Sequence, residues 1–385
     1  MDLPAGVVDA VRDDLVSSPG ALTPHRVAEA LRRAGRPVGD ATVLAVHDAL
    51  RRDILGAGPL EPLLRLPGVT DVLVNGADAV HLDRGAGLEL TDVRFPDDEA
   101  VRRLAQRLAA AAGRRLDDAT PYADLRLADG SRFHAVLAPV ARPGTVISLR
   151  VPRARQFSVP ELVAAGMLTA GGARLLAAVV AARLAFLVSG GTGSGKTTLL
   201  AALLATVPPG ERLVVVEDAS ELRPDHPHVV GLEGRPPNIE GAGAIDVRTL
   251  VRQALRMRPD RLVVGEVRGA EVVDLLGALN TGHEGGCGTL HANSAADVPA
   301  RVEALALAAG LGRDAAHSQL ASGVDLVLHL VRDRDGVRRL REVAVPVRDE
   351  RGLVRMETAV RFERGGGETT GPATETLERA LAGLA

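Results

Sequence analysis

Lysine is all but missing from this chain. Of 46 basic side chains in 385 residues, Lys196 is the sole lysine and the remainder are arginine. Tryptophan is absent, tyrosine occurs once, and aromatics make up 2% of the total. That leaves few flat side chains on which the bases of a single nucleic-acid strand stack. No charge of one sign dominates either: the formal net charge is -3, which argues against a bulk grip on nucleic acid or anionic lipid. Strong nucleic-acid binding is therefore not expected. The single cysteine, Cys287, excludes an intramolecular disulfide and fits a reducing compartment. The longest apolar run, Leu175 to Ala182, is bounded by Arg174 and Arg183 and falls far short of the about 20 residues a membrane span needs. The opening MDLPAGVVDAVRDD lacks a basic start and an apolar signal core. The expectation is a cytoplasmic protein that meets a membrane only through partners.

Length predicts about two to three domains. Residues 1–55 read as a helical leader, with Thr23-Pro24 as N-cap and first-turn proline, followed by VAEALRR and VLAVHDALRRDIL at helical spacing. Residues 56–151 alternate short β-rich runs (TDVLVN, AVHLD, ADLRLA, RFHAVLA, TVISLRV) with a helical stretch near Glu99 to Ala112, and predict a small α/β domain. Residues 152–158 carry prolines and arginines without apolar periodicity and read as a linker. Over 159–364, helices alternate with the wholly apolar runs AFLVS, RLVVVE and RLVVGE, the pattern of a parallel sheet buried on both faces. Residues 365–385, opening on GGGETTGP, read as a flexible tail that ends in an amphipathic piece. There is no internal repeat.

The one lysine stands inside GGTGSGKTT. Gly190 to Thr197 satisfies G-x-x-x-x-G-K-S/T and lies after a strand-like run and before a helix-like one. Gly190, Gly191, Thr192, Gly193, Ser194 and Gly195 form a loop whose amides can face phosphates. Lys196 reaches the terminal phosphates, Thr197 ligates Mg²⁺, and Thr198 completes the first helical turn, whose dipole favours an anion. An ammonium on a slim stem enters such a loop, whereas a planar guanidinium does not. Shape thus explains why lysine survives here and nowhere else.

Two other apolar runs end in acids: RLVVVE in Glu217, followed by Asp218, and RLVVGE in Glu266. Beyond the carboxyl ends of parallel strands such carboxylates hold or activate an attacking water, or bind Mg²⁺ through waters. Gly265 stands where many phosphate-loop enzymes place a metal-holding Asp, so direct carboxylate ligation is not expected. TGHEGGCGTLHANS sets His283, Cys287 and His291 four residues apart, but its glycines forbid the helix that would gather them around a metal. The two histidines are read instead as sensing or positioning a γ-phosphate. Arg248, Arg252 and Arg256 recur every four residues and share a helical face, either solvated or reaching a neighbour's phosphates. Arg126 and Arg132 are candidates for closing the cleft from the first domain. No NKxD-like element marks a guanine nucleotide, and no other base-specific motif stands out.

In order along the chain, ILGAGPLEPLL, TDVLVNG, GRRLDDATPYADLRLADGSR, the phosphate loop, VVVEDASEL, LRMRPDRLVVGEVRGAE and TGHEGGCGTLHANS resemble the secretion ATPase superfamily of types II and IV, most closely its Tad/Flp pilus-assembly branch. The resemblance covers roughly residues 50 to 330. It implies a RecA-like motor domain behind a smaller α/β N-terminal domain, hydrolysing ATP with Mg²⁺ as a homo-hexamer docked on an integral membrane platform protein. It further implies Glu266 as catalytic glutamate, Glu217 in the Asp box, His283 and His291 as the His-box pair, and Lys196 and Thr197 on phosphate and Mg²⁺. Arg126 and Arg132 match phosphate-contacting arginines of relatives, and Arg252 and Arg256 match subunit-bridging ones. Paired cysteines are lacking, which separates the chain from the zinc-carrying type II motors. The alternatives are a conjugation-associated or DNA-translocating RecA-like ATPase, and an assembly switch that binds ATP with little turnover.

Overall fold

A computed structural model describes residues 11, 23–35, 39–40, 42–47, 56–85, 87–151, 156–235, 237 and 241–383. Much of the expected leader and residues 152–155 of the expected linker lie outside them. The chain divides into two compact units, Met1–Ala154 and Arg155–Ala385.

In the first unit, helix α1 (Pro24–Arg33) starts as its sequence dictates: the Thr23 side chain accepts from Arg26 N–H, and Pro24 occupies the first turn where its missing N–H costs nothing. The rest is an antiparallel six-stranded sheet. Its strands are β1 (Asp71–Asn75), β2 (Val80–Asp83), β3 (Leu88–Leu90), β4 (Tyr122–Arg126), β5 (Arg132–Val136) and β6 (Val146–Arg150), in spatial order β3-β2-β1-β6-β5-β4. Alternate residues such as Val72, Val74, Phe133, Ala135, Ile147 and Leu149 are buried. They form one core with Val101, Leu104, Ala105 and Leu108 of α2 (Asp98–Ala111), as period-2 and period-3.6 patterns require when a helix covers one sheet face.

The second unit holds the site. After α3 (Val159–Ala164) and α4 (Ala170–Ala181), nine strands form one sheet: β7 (Phe186–Gly190), β8 (Leu213–Glu217), β9 (Val229–Glu233), β10 (Arg261–Val267), β11 (Cys287–Leu290), β12 (Leu326–Arg332), β13 (Arg338–Arg348), β14 (Val354–Phe362) and β15 (Glu368–Thr370). Their order is β15-β14-β13-β12-β7-β11-β10-β8-β9, parallel from β12 through β9 and antiparallel from β12 through β15. Helices α5 (Lys196–Leu204), α6 (Val247–Ala254), α7 (Glu271–Leu279), α8 (Val298–Ala308) and α9 (Arg313–Gly323) connect them. Every residue of β7 and β8 is buried. Phe186 and Val188 face one core and Ala185 and Leu187 the other, which is why the strand reads as unbroken apolar sequence.

The last segment departs from the flexible tail expected for residues 365–385. A turn at Gly365–Gly367 returns the chain so that β15 pairs with β14, and the Glu368 carboxylate accepts from Thr169 Oγ at 2.6 Å. Helix α10 (Thr374–Ala382) then buries Leu377 in the core. Glycine-rich composition hid a hairpin whose partner strand lies upstream, and three residues of strand are too few to show periodicity.

Candidate active site

At the carboxyl end of β7 the chain turns through the glycine loop into α5. Gly195, at φ +96°, is the residue before the helix and has no side chain to cap it. The first-turn amides are thereby left facing outward for an anion. Gly191, Thr192 and Gly193 are exposed, Ser194 is buried with its hydroxyl donating to Gly191 O, and Thr197 and Thr198 are half-buried. Lys196 is 7% exposed and its Nζ donates to Gly190 O at 3.0 Å and Gly191 O at 2.9 Å. Burial lowers its pKa, opposed by the nearby Glu266 carboxylate and assisted by Arg268. A desolvated ammonium held only by two carbonyls stands to gain from a negative ligand in the loop.

Glu266, near the end of β10, lies within electrostatic reach of Lys196. One oxygen pairs with Arg268, and the other, Oε1, stands 2.5 Å from His291 Nε2. Oε1 is buried, with the His291 ring nitrogen as its close neighbour. Burial and the neighbouring Lys196 hold the imidazole of His291 below its ordinary range, so it stays neutral near pH 7. At that separation nothing fits between the two atoms, so the neutral imidazole and the carboxylate stand as one directly contacting pair that can offer its outer side to a polar ligand. Thr289 Oγ donates to Gly265 O at 2.6 Å and ties β11 to β10, fixing the level of His291 against Glu266.

Glu217 closes β8 and is held differently. Its Oε1 accepts from Leu222 N–H at 3.0 Å and Glu221 N–H at 3.1 Å. Burial still pushes its pKa up to about 7. The geometry explains Gly265: a Cβ there would fall 2.4 Å from Glu217 Cγ. Glu217 fills the space that a residue 265 side chain would take.

Residues 53–361 match the family described as Type II/IV secretion system protein. This chain belongs to the type II/IV secretion ATPase superfamily. It is 58% identical over 334 residues to a putative conjugal transfer protein of Mycobacterium tuberculosis, covering 85% of this chain and 95% of that one. The type IV secretion system protein PtlH of Bordetella pertussis is 34% identical over 259 residues, 61% of this chain and 76% of its own. Among solved structures, the pilus retraction motor PilT with bound ADP shares the fold, with a TM-score of 0.52 and 17% identity over 84% of this chain and 85% of that chain. The secretion-family architecture, a RecA-like α/β domain behind a smaller α/β one, is the one described above.

Within this family fold, the remaining candidates fall as follows. His291 joins Glu266, whereas His283 does not. The parallel register pairs Cys287 with Phe186 and Leu290 with Ser189, so His283 precedes the amino end of β11 while the phosphate loop follows the carboxyl end of β7. His283 Nδ1 instead lies 3.2 Å from Ala278 O at the end of α7. Within one chain, then, His291 and not His283 lies beside Glu266. Cys287 sits fully buried in the strand between them, its thiol pushed up to about 12 by burial, and no metal-binding cluster occurs among the described residues.

Arg248 and Arg252 both bond Asp274 of α7, at 2.6 and 2.7 Å, and Arg256 donates to Arg252 O. Arg126 and Arg132 are cross-strand partners in the first unit. Arg132 forks onto Asp124, lowering that carboxyl's pKa, and Arg126 donates to Gly130 O.

Sequence reasoning passed over Arg268 and Arg338. Arg268 lies just past the end of β10 and turns back to pair with Glu266, a contact that strand alternation does not announce. Arg338 Nε donates to Gly193 O at 2.8 Å from the start of β13, a contact no local pattern announces.

Proposed function

We propose that this chain is a Mg²⁺-dependent ATPase that works as a homo-hexameric motor for a type IV-like conjugal or secretion apparatus, or for a Tad/Flp pilus. The observation that carries the reading is the Glu266 carboxylate in direct contact with a neutral His291, within electrostatic reach of the desolvated Lys196 in the glycine loop. The outward amides of the loop and Lys196 bind the phosphates, and Thr197 holds Mg²⁺, which when bound neutralises charge on the phosphate oxygens. Glu266 orients the attacking water and accepts its proton, while His291 faces the terminal phosphate. Glu217 holds a proton near neutral pH and supports the strand end behind Glu266.

Arg252 and Arg256 bridge to a neighbouring subunit, and Arg126 and Arg132 approach phosphate from the first domain. The Asp274 bonds leave the exposed edge of the arginine stripe available for such a bridge. No helix among the described residues is long and apolar enough to cross a membrane. The motor is proposed to work at the cytoplasmic face, docked on an integral membrane platform protein, as the secretion-system relatives suggest. Conjugal transfer is the favoured apparatus, since a relative at 58% identity carries that description.

The test is ATP turnover per protomer across a wide range of protein concentration, with Mg²⁺ and without DNA. A rate that climbs with concentration supports an active site completed between subunits. A flat rate removes the ring, and a several-fold stimulation by DNA at low salt favours the translocase instead. Lys196→Arg keeps the charge and is expected to abolish nucleotide binding, because the fork does not enter the loop.

A further inference from the structure

A cavity of about 260 Å³ opens against β12, β13 and β14, on the far side of β7 from Glu266. His329, Arg341, Glu342, Thr358, Arg361 and Ser294 give it a polar lining over small apolar residues. Two strand irregularities build it. Between β12 and β13, His329 faces Glu342 but Leu330 faces Leu340, leaving Arg341 as an extra residue. Between β13 and β14, Val343 faces Val360 but Ala344 faces Thr358, leaving Ala359 as another. Pleating sends neighbours to opposite faces, and a bulge overrides it. The consecutive Arg341 and Glu342 thus line one cavity, as do Thr358 and Arg361 three residues apart.

The charges there do not cancel. Glu342 is already satisfied: its Oε2 accepts from Thr358 Oγ at 2.9 Å and lies 3.6 Å from Arg361. Arg341 is exposed, and among the described residues its guanidinium makes no hydrogen bond or ion pair. A planar fork of donors beside a polar cavity suits the paired oxygens of a carboxylate or phosphate.

The cavity wall also touches the nucleotide site from behind. His329 Nδ1 lies 2.9 Å from Ser189 Oγ, and the backbone of Asn293 is near enough to the same ring to raise its pKa against the effect of burial. Ser189 directly precedes Gly190, and Asn293 lies two residues beyond His291. His329 therefore joins the root of the phosphate loop to the turn that carries the catalytic-centre histidine, and burial keeps it neutral.

We propose that this cavity is an anion site in which Arg341 receives a carboxylate or phosphate group, and that His329 couples its occupancy to nucleotide affinity. The anion comes either from a small soluble molecule or from an acidic side chain of a second copy of this chain. Binding at the cavity is independent of the motor reading. The coupling rests on the nucleotide site, and it is read as affinity rather than turnover.

The experiment is calorimetric titration of succinate, and separately of inorganic phosphate, into the full chain saturated with Mg²⁺-ADP, against chloride of matched ionic strength. Saturable binding that Arg341→Gln weakens by about tenfold or more is expected. The Mg²⁺-ADP affinity should then differ with and without succinate in the native chain but not in that variant. If neither small anion binds, sedimentation over a range of concentrations tests the second source, and Arg341→Glu should weaken self-association by about tenfold or more.

Binding that survives Arg341→Gln unchanged overturns the site. So does absence of binding together with unchanged self-association. Because Arg341 is exposed on a bulge, unaltered thermal unfolding of both variants is the control for folding. A chain that binds succinate but no Mg²⁺-ADP would defeat the motor reading while leaving the cavity intact.

Discussion

Two glutamates lie at the carboxyl ends of two neighbouring parallel strands, Glu217 last in β8 and Glu266 next to last in β10, and their sequence surroundings, LVVVE and LVVGE, are almost the same. Their chemistry is not. Glu217 is pinned by two backbone N–H groups of its own following turn and carries a pKa pushed up to about 7 by burial. Glu266 stands among Lys196, Arg268 and His291. A carboxylate bonded by its own backbone is committed to structure; the one set among Lys196, Arg268 and a neutral imidazole is the one proposed above to orient the attacking water. Gly265 marks the boundary, since it leaves room for the first glutamate while preceding the second.

The sharpest way to break the comparison is to remove one charge at a time. Glu266→Gln should lower kcat by about 100-fold or more while leaving nucleotide affinity within about threefold, read by single-turnover kinetics and a fluorescent nucleotide. A rate near the native one would transfer the base role to Glu217. His291→Ala should cost about tenfold to 100-fold in kcat, and His283→Ala no more than about twofold. Equal losses would mean that His283 acts across a subunit boundary.

Gly265→Ala should destabilise the fold by about 1–3 kcal/mol in denaturant titration, because its methyl meets Glu217. Adding Glu217→Ala should recover part of that loss, and strict additivity would show that the two side chains do not compete for space.

The smallest effect concerns protons. Below the ordinary glutamate range both folded and unfolded chains hold the Glu217 proton, and above about 7 neither does. Between these limits only the folded chain holds it, so rising pH erodes stability there, by at most about 3 kcal/mol in total. Glu217→Gln should flatten the stability profile from about pH 5 to pH 7, measured as denaturation midpoints. An unchanged slope would show that Glu217 is ionised and shares the role of Glu266.

Much of this site was legible before any fold was known. Gly190 to Thr198 announces the glycine loop that leads from β7 into α5, because that loop is made from its own contiguous backbone. The buried strands were equally plain, since a sheet covered on both faces leaves no polar residue to interrupt the run. Asp274, which holds two of the three striped arginines, gave no sign of doing so, because it lies on another helix. The terminal hairpin was missed for a related reason: glycine-rich sequence looks flexible until its partner strand is present.

Sequence by itself thus determined the glycine loop, the buried parallel strands and the family, all of which rest on residues adjacent along the chain. Tertiary structure alone decided that His291 rather than His283 meets Glu266, why residue 265 is glycine, and where two bulges line a cavity against β12, β13 and β14. Those outcomes depend on register between strands far apart in sequence, and a slip of one residue in that register turns each side chain to the opposite face.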